Sequence, residues 1–260
     1  MLALVFALAC THPSPTAPPS GDGIWVLEMG RSTFPASHIL QGAPETERWP
    51  FSWQAWLIHA DRRWVLVDAG FREPDVARRR GIEGFTPIAG VLARRGLKPA
   101  DISDLIITHS HWDHVGGAAD FPEATLWIQA DELAWMRSRV STAHTQRSGL
   151  RLRDRNVLEA AAAQGRLQTP DGDAMVSPSI RLHRSGGHTP GVQWVEVHID
   201  GHTTILASDI AYQTRNLTEG PPGGSRDAAA DWSAIETMKA LSTDIIPGHD
   251  PRSMQGPRAF

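Results

Sequence analysis

Residues 105–114 read Leu-Ile-Ile-Thr-His-Ser-His-Trp-Asp-His, an apolar run that leads directly into a cluster of side chains able to bind metal ions. The four candidate ligands in this segment are His109, His111, Asp113 and His114. Residues two apart in an extended chain project to the same side, so His109 and His111 can reach the same ion. Two glycines follow Val115 and let the chain turn sharply. The segment therefore predicts a metal-binding loop at the end of a buried strand.

Three more candidate ligands come later in the chain, each in a loop that follows a predicted strand. They are His188 in the segment Gly-His-Thr-Pro-Gly (187–191), Asp209 after Ser208, and His249 in Gly-His-Asp (248–250). An earlier segment, Asp-Ala-Gly at 68–70, also closes a short apolar strand. Rigid elements position the side chains of the loops at their ends, which is where functional sites usually form. We expect these loops to converge on residues 109–114.

Hydrophobic periodicity predicts strands in both halves of the chain with helices between them. The predicted strands are Ile24–Met29, Ser52–Ala60, Trp64–Val67, Leu105–Thr108, Ala124–Gln129, Ser179–His183, Gln193–Ile199 and Thr203–Ala207. The predicted helices are Thr86–Arg95, Asp131–Ser138, Asp154–Ala163 and Asp231–Leu241, the last with Asp231 as its N-cap. Asp200-Gly201 is typical of a hairpin turn. The pattern predicts a single α+β domain with two sheets.

The composition limits the kinds of partner and of metal site. A net charge of -4 offers no electrostatic footprint for nucleic acid, so we expect no nucleic-acid partner. Cys10 is the single cysteine, which excludes an intramolecular disulfide. Any metal ion in the body of the protein must therefore be bound by histidine and carboxylate side chains.

Residues 1–22 are expected to precede the folded domain, which we place at residues 23–260. Leu2–Ala9 is apolar but too short to span a bilayer, and it ends at Cys10 before a stretch rich in Pro and Ser. This pattern resembles the end of a bacterial lipoprotein signal, although Ala7 stands where such signals usually carry Leu. We expect a lipid anchor at Cys10 and a location in the cell envelope, periplasmic or secreted. An incidental cysteine in an unstructured N-terminus is the alternative.

The order of the ligand motifs resembles that of the metallo-β-lactamase superfamily, from about Gly23 to Asp250. The resemblance implies an αββα sandwich with two metal ions at one edge, between the sheets. It implies that His109, His111 and His188 bind the first ion, that Asp113, His114 and His249 bind the second, and that Asp209 bridges them.

Imidazole and carboxylate ligands suit zinc, so two Zn²⁺ ions are the expected cofactors, with iron, manganese and cobalt left open. Two cations about 3.5–4 Å apart can lower the pKa of a shared water towards about 7 and polarise a carbonyl. Asp113 is predicted to bind metal and also to relay a proton to the leaving group. Asp68 is predicted to accept a hydrogen bond from a ligating imidazole and so to fix its tautomer. A purely structural role for Asp68 in its turn is the alternative.

Within the superfamily the chain resembles bacterial N-acyl-homoserine lactonases. Those enzymes carry a tyrosine that points at the lactone oxygen, and Tyr212 stands at the matching place, three residues after Asp209. True β-lactamases have Cys or Ser where this chain has Asp209, which argues against β-lactam hydrolysis. The resemblance implies a hydrolase that opens a lactone ring with hydroxide generated at the ion pair, while Tyr212 stabilises the oxyanion.

Two other functions stay open on the sequence alone. The same centre would serve an arylesterase or a phosphotriesterase acting on a small ester, and a metal-binding envelope protein without catalysis belongs to a different class. Candidates to contact an acyl chain, by residue type only, are Phe34, Phe51, Trp53 and Trp135, with core packing as the default for each. His38 is the one further histidine placed near the pocket. The sequence does not predict the oligomeric state.

Overall fold

The computed structural model describes residues 18–140 and 149–254, together with the backbone of residues 258–259. The predicted lipid anchor at Cys10 lies outside these described residues, and both the anchor and the envelope location stay predictions. Within the described ranges, no helix combines the length and the apolar character that crossing a membrane would require. Among the described residues, regular structure begins at Gly23 with the first strand.

Strands and helices alternate along the described residues much as the sequence predicts. The strands are β1 (Gly23–Pro35), β2 (Arg48–Ala60), β3 (Arg63–Val67), β4 (Ile102–Ile106), β5 (Thr125–Trp127), β6 (Leu167–Gln168), β7 (Ala174–Ser177), β8 (Ile180–Arg184), β9 (Gln193–Ile199), β10 (His202–Ser208), β11 (Asp244–Pro247) and β12 (Arg258–Ala259). The helices are α1 (Ala36–Ile39), α2 (Pro74–Arg79), α3 (Ile88–Ala93), α4 (Trp112–Val115), α5 (Ala130–Arg139), α6 (Leu152–Ala163) and α7 (Ala228–Leu241).

These strands form two sheets. The larger sheet has the order β12-β1-β2-β3-β4-β5-β6, and the smaller has the order β11-β10-β9-β8-β7. Neighbours from β1 to β3 are antiparallel, whereas β3, β4, β5 and β6 run parallel. Parallel neighbours need crossover connections, and the helices between β3 and β6 supply them. As a result, β3, β4 and β5 all end at the same edge of the larger sheet.

Three layers of buried apolar side chains hold the sheets and helices together as a sandwich. Ile24 of β1 packs into the layer between the two sheets, whereas its neighbour Trp25 packs into the layer between the larger sheet and helices α3, α5 and α6. This alternation follows from the two-residue period of a strand. Ile235 and Met238 of α7 cover the outer face of the smaller sheet. The predicted single-domain α+β fold with an αββα arrangement is therefore confirmed.

The start of helix α7 differs from the prediction. The helix begins at Ala228, and the carboxylate of Asp227 caps it by accepting hydrogen bonds from the backbone N–H groups of Ala229 and Ala230, each 3.1 Å away. The prediction of Asp231 as the N-cap is wrong. Both aspartates flank the same run of three alanines, so local sequence offers two equal caps, and Asp231 is instead buried one turn inside the helix.

Other boundaries shift by a few residues. The predicted helix over 86–95 is shorter in the structure, at Ile88–Ala93, and strands β1 and β2 are longer than predicted because they pair along their whole length. The helix Pro74–Arg79 was not predicted. The hairpin turn forms as predicted, with φ of 49° at Asp200 and 80° at Gly201.

Candidate metal centre

The structure brings all seven predicted metal ligands together at one end of the two sheets. His109 and His111 follow β4, Asp113 and His114 lie in the single turn of α4, His188 follows β8, Asp209 follows β10 and His249 follows β11. They form two groups, the first of His109, His111, His188 and Asp209 and the second of Asp113, His114 and His249, and the ligand atoms of each group lie within 4.8 Å of one another. Each group draws on both sheets, because β4 belongs to the larger sheet and β8, β10 and β11 belong to the smaller.

The first group has the spacing that a shared cation requires. His111 Nδ1 lies 3.0 Å from His109 Nε2 and 3.0 Å from His188 Nε2. Nitrogens bound tetrahedrally to zinc at about 2.1 Å would lie roughly 3.4 Å apart. Three imidazoles that point their ring nitrogens at one place therefore fit an ion of this kind.

The second group contains a buried nitrogen that lacks a well-directed hydrogen bond. His114 Nδ1 lies 2.7 Å from Asp68 Oδ2, which leaves Nε2 of the same ring facing the centre. His114 Nε2 is buried and makes no well-directed hydrogen bond among the described residues, although Asp209 Oδ1 lies 3.3 Å away. Asp113 Oδ2 is 3.7 Å from this nitrogen. Buried polar atoms are nearly always satisfied, so a buried imidazole nitrogen of this kind beside a carboxylate fits a bound cation.

Asp209 links the two groups through its two carboxylate oxygens. Its Oδ1 lies 2.9 Å from His249 Nε2 and 3.3 Å from His114 Nε2, in the second group. Its Oδ2 lies 3.3 Å from His188 Nε2 and 3.6 Å from His109 Nε2, in the first group. One oxygen thus faces each group, which is the arrangement of a bridging carboxylate.

The electrostatics of the centre favour metal binding. Burial lowers the pKa of His109, and it lowers the pKa of His188 to about 3, so both rings are neutral at pH 7, the form that binds metal. Burial alone would lower the pKa of His114, but the carboxylates of Asp209 and Asp68 outweigh it and raise that pKa well above its ordinary value. Burial would raise the pKa of Asp209, yet the imidazoles around it hold that pKa well below the usual range. A cation would take the place of the proton on His114.

Asp68 supports the second group from behind. It is fully buried at φ 62°, in the left-handed region that Asp and Asn tolerate better than other residues with a side chain. Its carboxylate accepts hydrogen bonds from the backbone N–H and the hydroxyl of Thr108, both at 2.8 Å, and contacts Nδ1 of His114. The N–H on Nδ1 of His114 leaves the lone pair of Nε2 for an ion.

Two further carboxylates hold the loops of the candidate ligands, and no local sequence pattern predicts this role for either of them. Glu132 of α5 is buried, accepts hydrogen bonds from the backbone N–H (2.9 Å) and hydroxyl (2.6 Å) of Ser110, and also accepts one from the backbone N–H of Gly191 at 3.0 Å. It therefore ties the first ligand loop to the loop of His188. Asp231 accepts a hydrogen bond from the backbone N–H of His188 at 3.0 Å, and burial raises the pKa of Asp231 to about 7.

Tyr212 lies beside both ligand groups. Its ring centroid is 5.7 Å from that of His188 and 5.4 Å from that of His249. Burial raises the pKa of Tyr212 well above its ordinary value, and the nearby carboxylate of Asp209 acts in the same direction. The hydroxyl therefore keeps its proton and can donate a hydrogen bond at the centre.

The aromatic candidates divide into core residues and residues nearer the surface. Phe51 stacks on His249 with ring centroids 4.1 Å apart, Trp53 lies 6.0 Å from the same ring, and both are almost fully buried. Trp135 is half-buried with its ring 6.0 Å from that of His111, and Phe34 is half-buried against Phe51 and His38. The other described histidines belong to neither ligand group.

Comparison with known proteins places this centre in a family. Residues 49–249 match the model of the metallo-β-lactamase superfamily. An N-acyl homoserine lactonase of Bacillus cereus is 25% identical over 223 residues, which cover 79% of this chain and 84% of the relative. The fold matches the crystal structure of a quorum-quenching N-acyl homoserine lactone lactonase with a TM-score of 0.73 at 21% identity, covering 94% of this chain and 98% of that one. It also matches a dizinc quorum-quenching lactonase in complex with its product, with a TM-score of 0.68 at 17% identity, covering 90% and 88%. The family match spans most of the chain, and the protein belongs to the metallo-β-lactamase superfamily.

Proposed function

We propose that this protein is a metal-dependent hydrolase that opens the ring of a lactone similar to an N-acyl-homoserine lactone. The observation that carries the proposal is the position of Asp209, whose two oxygens face the two ligand groups beside a tyrosine that keeps its proton. The lactonase relatives support the choice of a lactone over other substrates of the superfamily.

The ligand set would hold two divalent cations, and we propose that they are zinc. His109, His111 and His188 would hold one ion, Asp113, His114 and His249 the other, and Asp209 would contact both. When bound, such ions supply Lewis acidity, which polarises a carbonyl and makes a nearby water acidic. The dizinc enzyme among the structural neighbours supports zinc.

Two side chains of the protein would act on the substrate directly. The hydroxyl of Tyr212 is a donor that would bind the carbonyl oxygen as negative charge develops on it. The Asp113 side chain is 14% exposed, compared with 4% for Asp209, so Asp113 is the more accessible carboxylate of the centre. We assign to Asp113 the relay of a proton, taken from the water that attacks the carbonyl, to the alkoxide that leaves when the ring opens. Trp135 and Phe34, which are only half-buried, are the side chains that we expect an acyl chain to contact.

A substrate panel tests the proposal. Purified protein loaded with zinc, manganese, iron or cobalt is assayed for acid release from N-acyl lactones of several chain lengths, from linear aryl esters and from phosphotriesters. We expect the kcat/KM for the preferred lactone to exceed that for any ester of matched chain length by about 10-fold or more. A 10-fold preference requires only about 1.4 kcal/mol of stronger binding to the transition state of the preferred substrate. A preference for aryl esters or phosphotriesters would replace the proposal with that activity, and tightly bound metal without any hydrolysis would indicate a metal-binding protein.

The Tyr212→Phe variant tests the role of the tyrosine. Removal of one donor to a developing oxyanion typically lowers kcat by 10²–10³-fold. We expect a smaller fall in kcat, of at least several-fold and up to about 100-fold, because a bound cation would share the stabilisation of the oxyanion with Tyr212. The metal content should stay the same, because the hydroxyl is not among the seven ligands. The measurements are steady-state kinetics on the preferred lactone and the metal content by mass spectrometry. Unchanged kinetics with unchanged metal content would remove Tyr212 from the mechanism.

A further inference from the structure

A cavity rich in arginine opens beside the metal centre. It has a volume of about 1420 Å³ and lies between the segment 72–80, which contains α2, and the segment 149–153, which includes the first two residues of α6. Five arginines line it, namely Arg72, Arg79, Arg80, Arg151 and Arg153. The carboxylates in its lining are only Glu73 and Asp75 among the described residues.

Ion pairing leaves part of this positive charge without a counter-charge. Glu73 pairs with Arg151 at 3.2 Å and also with Arg153. Asp75 pairs at 2.7 Å with Arg78, which does not line the cavity. Arg79 and Arg80 form no ion pair within the described part of the chain. The residues outside it (1–17, 141–148, 255–257 and 260) contain no Asp or Glu, so no carboxylate side chain from these segments can neutralise the two arginines.

One side of the cavity borders the metal centre. Trp112 lies in the chain between the ligands His111 and Asp113, and the guanidinium carbon of Arg80 lies 4.4 Å from the centroid of its ring. The backbone N–H of Trp112 donates a hydrogen bond to the carbonyl of Gly149 at 2.9 Å. Gly149 itself lies against the imidazole of His111, since a Cβ there would be 2.7 Å from Cδ2. Two residues that line the cavity, Trp112 and Gly149, are therefore direct neighbours of the ligand His111.

We propose that this cavity binds a carboxylate carried by the substrate at a distance from the bond that is cleaved. The inference rests on the proposed lactonase activity and names its substrate class, which is an N-acyl lactone whose acyl chain ends in a carboxylate. A guanidinium offers a planar pair of N–H donors that matches a carboxylate, and the guanidinium of Arg80 lies over the ring of Trp112 without an ion-pair partner among the described residues. An apolar chain end would instead have to displace water from several guanidinium groups without replacing those hydrogen bonds.

Three substrates that differ only at the chain end test this proposal. N-acyl lactones of equal length that end in a methyl group, a carboxamide or a carboxylate are compared on the metal-loaded protein. We expect the kcat/KM for the carboxylate to exceed that for the carboxamide by about 10-fold, because a hydrogen bond between charged partners contributes about 1.5–3 kcal/mol and this one is partly exposed to solvent. Arg80→Gln should remove most of this preference through a higher KM, while the methyl and carboxamide substrates change by less than about twofold. Arg181→Gln, an exposed position on β8, is the matched control and should change none of the three.

Binding without turnover separates this inference from the lactonase proposal. Octanedioate is titrated calorimetrically into the wild type, Arg80→Gln and Arg181→Gln, all loaded with zinc and shown by circular dichroism to be folded. Weaker binding in Arg80→Gln alone supports the anion site, even if no lactone is hydrolysed and the lactonase proposal fails. Equal binding by all three proteins, or equal kcat/KM for the three chain ends in the wild type, would overturn the proposed site while leaving lactone hydrolysis itself intact.

Discussion

Replacement of Asp209 by Asn is expected to lower kcat/KM on the preferred lactone by more than about 100-fold and to reduce the bound metal from two ions per chain to one or fewer. Loss of a residue that merely supports a ligand typically costs 10–100-fold in metal affinity or activity, and Asp209 contacts both groups directly. The amide keeps the shape of the side chain but removes the negative charge that two adjacent cations need between them. Metal content is measured by mass spectrometry after gel filtration, with kinetics on the same sample.

Asp200→Asn provides the control for this experiment. Asp200 undergoes the same change from carboxylate to amide in an exposed hairpin turn, and we expect its metal content and activity to match the wild type. An Asp209→Asn protein that retained two ions and stayed within tenfold of the wild-type activity would show that Asp209 does not join the two groups.

Replacement of Asp68 by Asn is expected to weaken both the fold and the second ligand group. The change leaves the N–H and hydroxyl of Thr108 and the Nδ1 of His114 facing an amide that cannot accept from all of them. Broken hydrogen bonds of buried groups cost about 1–3 kcal/mol each, so we expect the free energy of unfolding to fall by about 2–4 kcal/mol. The affinity for the second ion should fall by about 10–100-fold, because the tautomer of His114 is no longer fixed. Urea denaturation of the metal-free protein and chelator competition measure the two effects separately.

Asn is the informative substitution at this position because it tolerates the left-handed backbone of Asp68, so backbone strain does not contribute. Asp200→Asn again serves as the control, since Asp200 has a similar backbone, with φ of 49°, but lies on the surface. Its free energy of unfolding should change by less than about 0.5 kcal/mol. If Asp68→Asn lost stability but kept wild-type metal affinity, Asp68 would be a structural turn residue only.

The residues that converge at the candidate metal centre could be predicted from the sequence because their signals are local. His109, His111, Asp113 and His114 stand within six residues, and the remaining ligands each follow a recognisable strand. The two-sheet architecture followed from the alternation of apolar residues and from the resemblance to a family. Segments with strong local patterns, such as the hairpin turn Asp200-Gly201, also formed as predicted.

The supporting residues could not be predicted because their partners are distant in the chain. Glu132 binds Ser110 and Gly191, which are 22 and 59 residues away, and a glutamate in a helix is ordinarily a solvated surface residue. Asp231 is another example. Its local sequence indicates a helix cap, whereas its hydrogen bond with the backbone of His188 joins residues 43 apart in the chain and leaves no local pattern. The arginine cavity requires two segments about 70 residues apart to face each other. Only tertiary structure brings these side chains together.

Each ligand group takes side chains from loops of both sheets, so one bound ion would already cross-link the two sheets. The proposed hydrolysis, in contrast, needs two bound ions. Thermal stability and activity would therefore respond differently to a metal titration. The midpoint of thermal unfolding would rise with the first equivalent of metal, and activity would appear only with the second. When metal is scarce, the protein with one bound ion would be stable but inactive. Binding of a second ion would then activate it without any refolding.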